Sequence, residues 1–133
     1  MTPVEAWSAV VAGEDAAIYA YSLAGAQVPL EARRRALAGL DEHRAARSRA
    51  AGLVTAAGGT APPAAASYDL PGPVSSPRQA RDLMAEVDNA LVAVYADAAV
   101  TVMGPDRLWA ARTAAAHAAR AVSWGAASQA FPT

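Results

Sequence analysis

Cysteine and lysine are both missing from this chain, and all 11 of its basic residues are arginine. Without cysteine there is no disulfide, no thiolate metal site and no cysteine nucleophile. Aromatic residues make up only 6% of the chain, and there are two histidines. No stretch is both long and apolar enough for a membrane span. Residues 1 to 28 carry Glu5, Glu14 and Asp15 and no basic leader, so no signal peptide is expected, and the cytoplasm is the expected location. A net charge of −1 and a pI near 6.1 give no general attraction to nucleic acid or to an anionic membrane. No glycine-rich phosphate loop, nucleophile elbow or zinc-protease helix motif is present.

What the chain does have is alanine, with scattered valine and leucine, within a hydrophobic fraction of 54%. Alanine is the best helix former and lets helices approach closely. A length of 133 residues suits one core. The expectation is a single all-α domain over 1–133, a four-helix bundle of two similar hairpins.

Thr2-Pro3-Val4-Glu5 has the form of a capping box. From there Val4, Trp7, Val11, Ile18, Gly25 and Val28 follow helical spacing, and Glu14 and Tyr21 fill the gaps in the same series. Pro29 ends this helix and opens the next. Residues 29 to 57 read as a second helix with Leu37, Leu40, Ala50 and Val54 toward the core, stopped by Gly58-Gly59. Residues 58 to 75 contain four prolines and three glycines and form a connection. At ~3.3 Å per residue it can span about 60 Å, more than the roughly 40 Å of a helix of this length. Ser76-Pro77-Arg78-Gln79 repeats the cap, so the expected helices are 3–27, 29–57, 77–103 and 105–124, with a frayed tail after Gly125.

A shift of 74 residues brings Thr2-Pro3 onto Ser76-Pro77, Glu14 onto Asp88, Tyr21 onto Tyr95 and His43 onto His117. Charge repeats too, with helices one and three at −3 and −2, and helices two and four at +3 and +2. A duplicated hairpin accounts for these matches. The turn prolines Pro29 and Pro105 are 76 apart, however. Taken as the hairpin tips, they put Glu14 and His43 at one level but leave Asp88 and His117 about 7 Å out of step at 1.5 Å per residue.

These residues resemble the ferritin-like superfamily, and more narrowly an actinobacterial ferritin-like domain family of unknown function. The resemblance implies that the long crossover makes helix three parallel to helix two. It also implies a di-metal centre, in which each second helix carries Glu-x-x-His. Here the positions three before His43 and His117 are Leu40 and Ala114, so both bridging acids are missing. Glu14, His43, Asp88 and His117 remain as ligands for one divalent ion at most, iron, manganese or zinc, and no cofactor is the first expectation. Asp41, Glu42 and Glu86 belong to other faces.

The same residues have plainer roles. A carboxylate at a core position needs a partner, and Glu14 can take His43 or a buried arginine such as Arg47. Tyr21, Tyr95 and Arg47 complete the expected polar core, with the tyrosine hydroxyls satisfying carboxylates. The three tryptophans are packing residues, and the arginine-rich second helix is a solvated face with ion pairs to the acidic helices. No catalytic residue is assigned. Three functions stay open: a non-catalytic bundle with a degenerate metal site acting through its surface or a partner, a single-metal or redox protein, and a small-molecule binder using the bundle core. The first is preferred, and a homodimer or an unidentified protein partner is the expected association.

Overall fold

The computed structural model describes residues 1–126. Among them the elements are α1 (Pro3–Ala24), a 3₁₀ turn (Gly25–Gln27), α2 (Leu30–Ala56), α3 (Pro77–Thr101) and α4 (Gly104–Ser123), with no strand. The expected ends are met to within about three residues. The frayed tail falls on residues 127–133, outside the described residues.

The caps form as the sequence suggests. Thr2 Oγ1 accepts from the Glu5 amide at 3.1 Å while the Glu5 carboxylate accepts from the Thr2 amide at 2.9 Å. In the second half Ser76 Oγ accepts from the Gln79 amide at 3.2 Å, but the Gln79 side chain reaches one residue further back, to the Ser75 amide at 2.9 Å.

Two apolar layers fix the topology. One joins Trp7, Val10 and Val11 from the start of α1 with Ala50 and Val54 from the end of α2 and Leu91, Tyr95 and Ala98 from late α3. The other joins Tyr21 and Ala24 from the end of α1 with Ala32, Ala36 and Leu40 from early α2 and Ala80, Leu83 and Met84 from early α3. Both α2 and α3 therefore run against α1 and are parallel to one another. The connection begins at the first layer, where Ala61 packs, and ends at the second, where Leu70 and Val74 pack, so it travels the length of the bundle.

α1 packs on α2 and α3, and α3 packs on α4, whereas among the described residues α2 and α4 meet only through side chains. The Arg35 guanidinium lies 4.3 Å over Trp124 and that of Arg49 lies 4.4 Å over Trp109. Arg120 on α4 pairs with Glu42 on α2.

Two expectations need correction. Leu37 is 54% exposed and takes no part in the core, because the apolar stripe of α2 runs through Ala32, Ala36, Leu40, His43, Ala50 and Val54. The level mismatch also disappears, because the two prolines are not equivalent. Pro29 is the residue before α2, whereas Pro105 lies inside α4, which begins at Gly104. Glu14 is 13 residues before Gln27 and His43 is 13 after Leu30; Asp88 is 13 before Thr101 and His117 is 13 after Gly104. The first hairpin needs its 3₁₀ turn to match a second hairpin whose tip is only two residues long. Gly104 makes that short tip with a φ of 66°, a conformation costly for any residue with a Cβ.

The tips share a further device at the same 74-residue shift. Arg33 Nε donates to the Gly25 carbonyl at 3.2 Å and its Nη2 to the Val28 carbonyl at 3.3 Å. Arg107 Nε donates to the Ala99 and Val102 carbonyls at 2.9 and 2.8 Å. Each arginine satisfies carbonyls that the end of the preceding helix leaves open.

Candidate functional site

Between the two apolar layers each helix contributes one ionisable group to the centre of the bundle: Glu14 from α1, His43 from α2, Asp88 from α3 and His117 from α4. The first three are 0% exposed and His117 is 3% exposed. Antiparallel packing of α1 on α3 sets Glu14 opposite Tyr95 and Tyr21 opposite Asp88, so each tyrosine serves the acid of the other hairpin. Tyr95 Oη donates to Glu14 Oε1 at 2.7 Å, and Tyr21 Oη donates to Asp88 Oδ2.

Each histidine meets the acid of its own hairpin through Nδ1. The distance is 2.6 Å from His43 to Glu14 Oε2 and 3.1 Å from His117 to Asp88 Oδ1. The Nε2 atoms cross between hairpins: His117 Nε2 lies 2.9 Å from Glu14 Oε1, and His43 Nε2 lies 3.2 Å from Asp88 Oδ1. That last approach lacks hydrogen-bond alignment, and His43 Nε2 is buried without a partner. Asp88 is one methylene shorter than Glu14, and its Oδ1 also receives His117 Nδ1 and, at 3.4 Å, Arg120 Nη1.

Charge follows from this geometry. Burial alone would raise the Glu14 carboxyl, but hydrogen bonds from His117 and His43 outweigh it and lower its pKa to about 2. Burial would likewise raise Asp88, and its bonds from His117 and His43 reverse the sign. For His43 burial disfavours the cation, but the carboxylates of Asp88 and Glu14 prevail and lift it to about 9. His117 is raised against its own burial by Asp88 and Glu14. Burial, and then the facing carboxylates, push both tyrosines far up, so each hydroxyl is a neutral donor. Two carboxylates, two imidazoles shifted toward their cationic form and two phenols bond to one another, with His43 Nε2 left over.

All six residues of the repeated acid, tyrosine and histidine pattern therefore come together. Arg47 does not join them as expected. Its Nε pairs with Asp15 at 3.0 Å nearer the surface, where the Arg47 side chain is 31% exposed. The arginine that touches the cluster is Arg120, and Trp124 Nε1 donates to Tyr21 Oη at 2.9 Å. The repeat does not reveal either one, since their mates at the 74-residue shift are Ala46 and Ala50, and Trp124 adds a hydrogen bond to the packing role expected of it. Arg33 and Arg107 do pair at that shift, and Arg33 bonds tip carbonyls where a solvated face was expected of helix two. Asp41, Glu42 and Glu86 are exposed and outside the cluster, Glu42 being linked to it through Arg120.

Glu14, His43 and His117 each present a ligand atom such that the three lie within 4.8 Å of one another. Ligands on a tetrahedral ion are about 3.4 Å apart, so this group fits one ion with a small contraction and loss of the imidazole protons. It does not fit two, since two carboxylates are too few to offset the repulsion of close divalent ions in a low dielectric.

A duplicated helical hairpin closed around a shared ring of acids, imidazoles and phenols is the class of protein that this fold and site define. The chain belongs to the family described as a domain of unknown function, DUF4439, whose pattern matches residues 6–133. It is similar to a solved structure, that of a conserved hypothetical protein, Rv2844, from Mycobacterium tuberculosis, with a TM-score of 0.86 and 30% identity over 90% of this chain and 92% of that one. No curated protein matches. Among the described residues, no helix is long and apolar enough to cross a membrane.

Proposed function

We propose that this chain is a ferritin-like bundle of the cytoplasm in which the di-metal centre has been replaced by a closed ion cluster, and that it acts without catalysis, through its surface and a protein partner or second copy. One observation carries this reading. The two helices that would supply bridging acids present Leu40 and Ala114 instead, and every oxygen of the remaining carboxylates already accepts from a tyrosine or a histidine of the cluster. The cluster then holds four helices in register, with every carboxylate oxygen already engaged.

A second reading rests on the unpartnered His43 Nε2 and on the convergence of Glu14, His43 and His117, which favour one divalent ion. The two separate on metal analysis of untagged protein, followed by thermal denaturation with Fe(II), Mn(II) and Zn(II). A ligand that binds only the folded state at 100 times its dissociation constant stabilises by about 2.7 kcal/mol. The closed-cluster reading expects no bound metal and an unchanged melting temperature. One equivalent of metal with a saturable rise supports the second reading, and two equivalents overturn both.

A further inference from the structure

A groove of about 410 Å³ runs along the outside of the first hairpin, between the end of α1 and the first half of α2. That volume lies in the range of small-molecule sites. Tyr21, Gly25, Arg33, Ala36, Leu37 and Leu40 are among the residues that line it. It touches the buried cluster only through the Tyr21 ring, and the groups it would use, Arg33, Leu37 and Leu40, are not cluster members.

Two features single it out. Leu37 is 54% exposed on the groove wall, a large apolar side chain spent on a position that the core does not use. At the 74-residue shift the mates of Gly25, Leu37 and Leu40 are Ala99, Ala111 and Ala114. The second hairpin therefore folds to the same register with alanine at these positions, and of the three residues only Leu37 has no share in the core.

The second feature is Arg33, which has a counterpart in Arg107 but alone has an exposed leucine four residues on, where the second hairpin has Ala111. Carbonyls of Gly25, Ala26 and Val28 hold its Nε and Nη2 at 3.2, 3.4 and 3.3 Å. Its Nη1 has no hydrogen-bond partner among the described residues. A guanidinium already fixed by the backbone loses little freedom when it takes a carboxylate, and the apolar walls can bury an attached chain.

We propose that this groove binds an amphipathic anion, with a carboxylate on Arg33 and an apolar tail along Leu37 and Leu40. The test is a ¹H–¹⁵N NMR titration of the full chain with octanoate, and with octan-1-ol as the uncharged control. Saturable shifts are expected at Gly25, Gly39 and Arg33 Nε, with octanoate at least tenfold tighter than octanol. Leu37→Glu, at an exposed position that leaves the melting temperature unchanged, should weaken octanoate at least tenfold, and Arg33→Gln should bring octanoate down to octanol. Absence of saturable shifts at millimolar octanoate, equal affinity for the two probes, or an effect that Leu37→Glu leaves intact overturns the assignment. So does a concentration-dependent dimer dissolved by Leu37→Glu, which makes a second copy the occupant.

Discussion

The imidazoles of His43 and His117 stack face to face, with centroids 5.0 Å apart and planes within 6°. As two cations they would repel. They are held by Glu14 on one side, at 2.6 Å from His43 and 2.9 Å from His117, and by Asp88 on the other, at 3.2 and 3.1 Å. The order around the ring is imidazole, carboxylate, imidazole, carboxylate, each pair drawn from different helices. Removing one charge leaves the others unbalanced in a low dielectric, which is why the ring stands or falls as a unit.

Stability should therefore have a pH maximum. The folded pKa of His43 is raised from 6.5 to about 9, so its contribution is complete below 6.5 and is lost as pH rises through 9. The folded pKa of Glu14 is lowered from 4.5 to about 2, so its contribution is complete above 4.5 and is lost as pH falls through 2. The overlap is pH 4.5 to 6.5, and each flank carries about 3 kcal/mol, or roughly 10 °C in melting temperature. Calorimetry from pH 3 to 10 should show the maximum near pH 5 to 6. A melting temperature flat between pH 6 and 9 would mean that His43 is neutral when folded.

The two tyrosines should differ. Tyr95→Phe removes one donor to Glu14 and should cost about 1.5–3 kcal/mol, as for a hydrogen bond to a charged group. Tyr21→Phe removes the donor to Asp88 and also leaves the buried Trp124 Nε1 without its acceptor, adding about 1–3 kcal/mol. Urea unfolding of both variants should rank Tyr21→Phe as the more damaging.

Two helical glycines of α2 should respond with opposite signs. At Gly52 a Cβ meets nothing within 4 Å, so Gly52→Ala should stabilise by up to about 1 kcal/mol through helix propensity. At Gly39 it would lie 2.6 Å from Tyr21 Cε2, on a ring pinned at 4.6 Å against His43. Gly39→Ala should destabilise by about 1–3 kcal/mol through overpacking, less the propensity gain. Equal effects of the two substitutions in urea would show that the ring has room to move.

Much of this was legible in the sequence because the relevant signals are local or repeated. Thr2 to Glu5 and Ser76 to Gln79 announce their own caps, and the 74-residue shift pairs Glu14 with Asp88 and His43 with His117. What escaped depends on three-dimensional register. That each tyrosine serves the other hairpin's acid follows from α1 running against α3, which no spacing within one helix encodes. Pro29 and Pro105 misled because a proline suits both the residue before a helix and its first turn. Leu37 misled because a leucine near a core stripe looks alike whether it faces the core or a groove.

Proton occupancy of the ring is the most direct test of a closed ion cluster in place of a metal centre. ¹⁵N NMR of histidine-labelled protein at pH 7 distinguishes protonated, neutral and metal-bound ring nitrogens. Both His43 and His117 should give the pattern of an imidazolium, with both nitrogens protonated, and keep it when one equivalent of Zn(II) is added. Neutral imidazoles at pH 7, or nitrogens that shift to the metal-bound range with Zn(II), would contradict it.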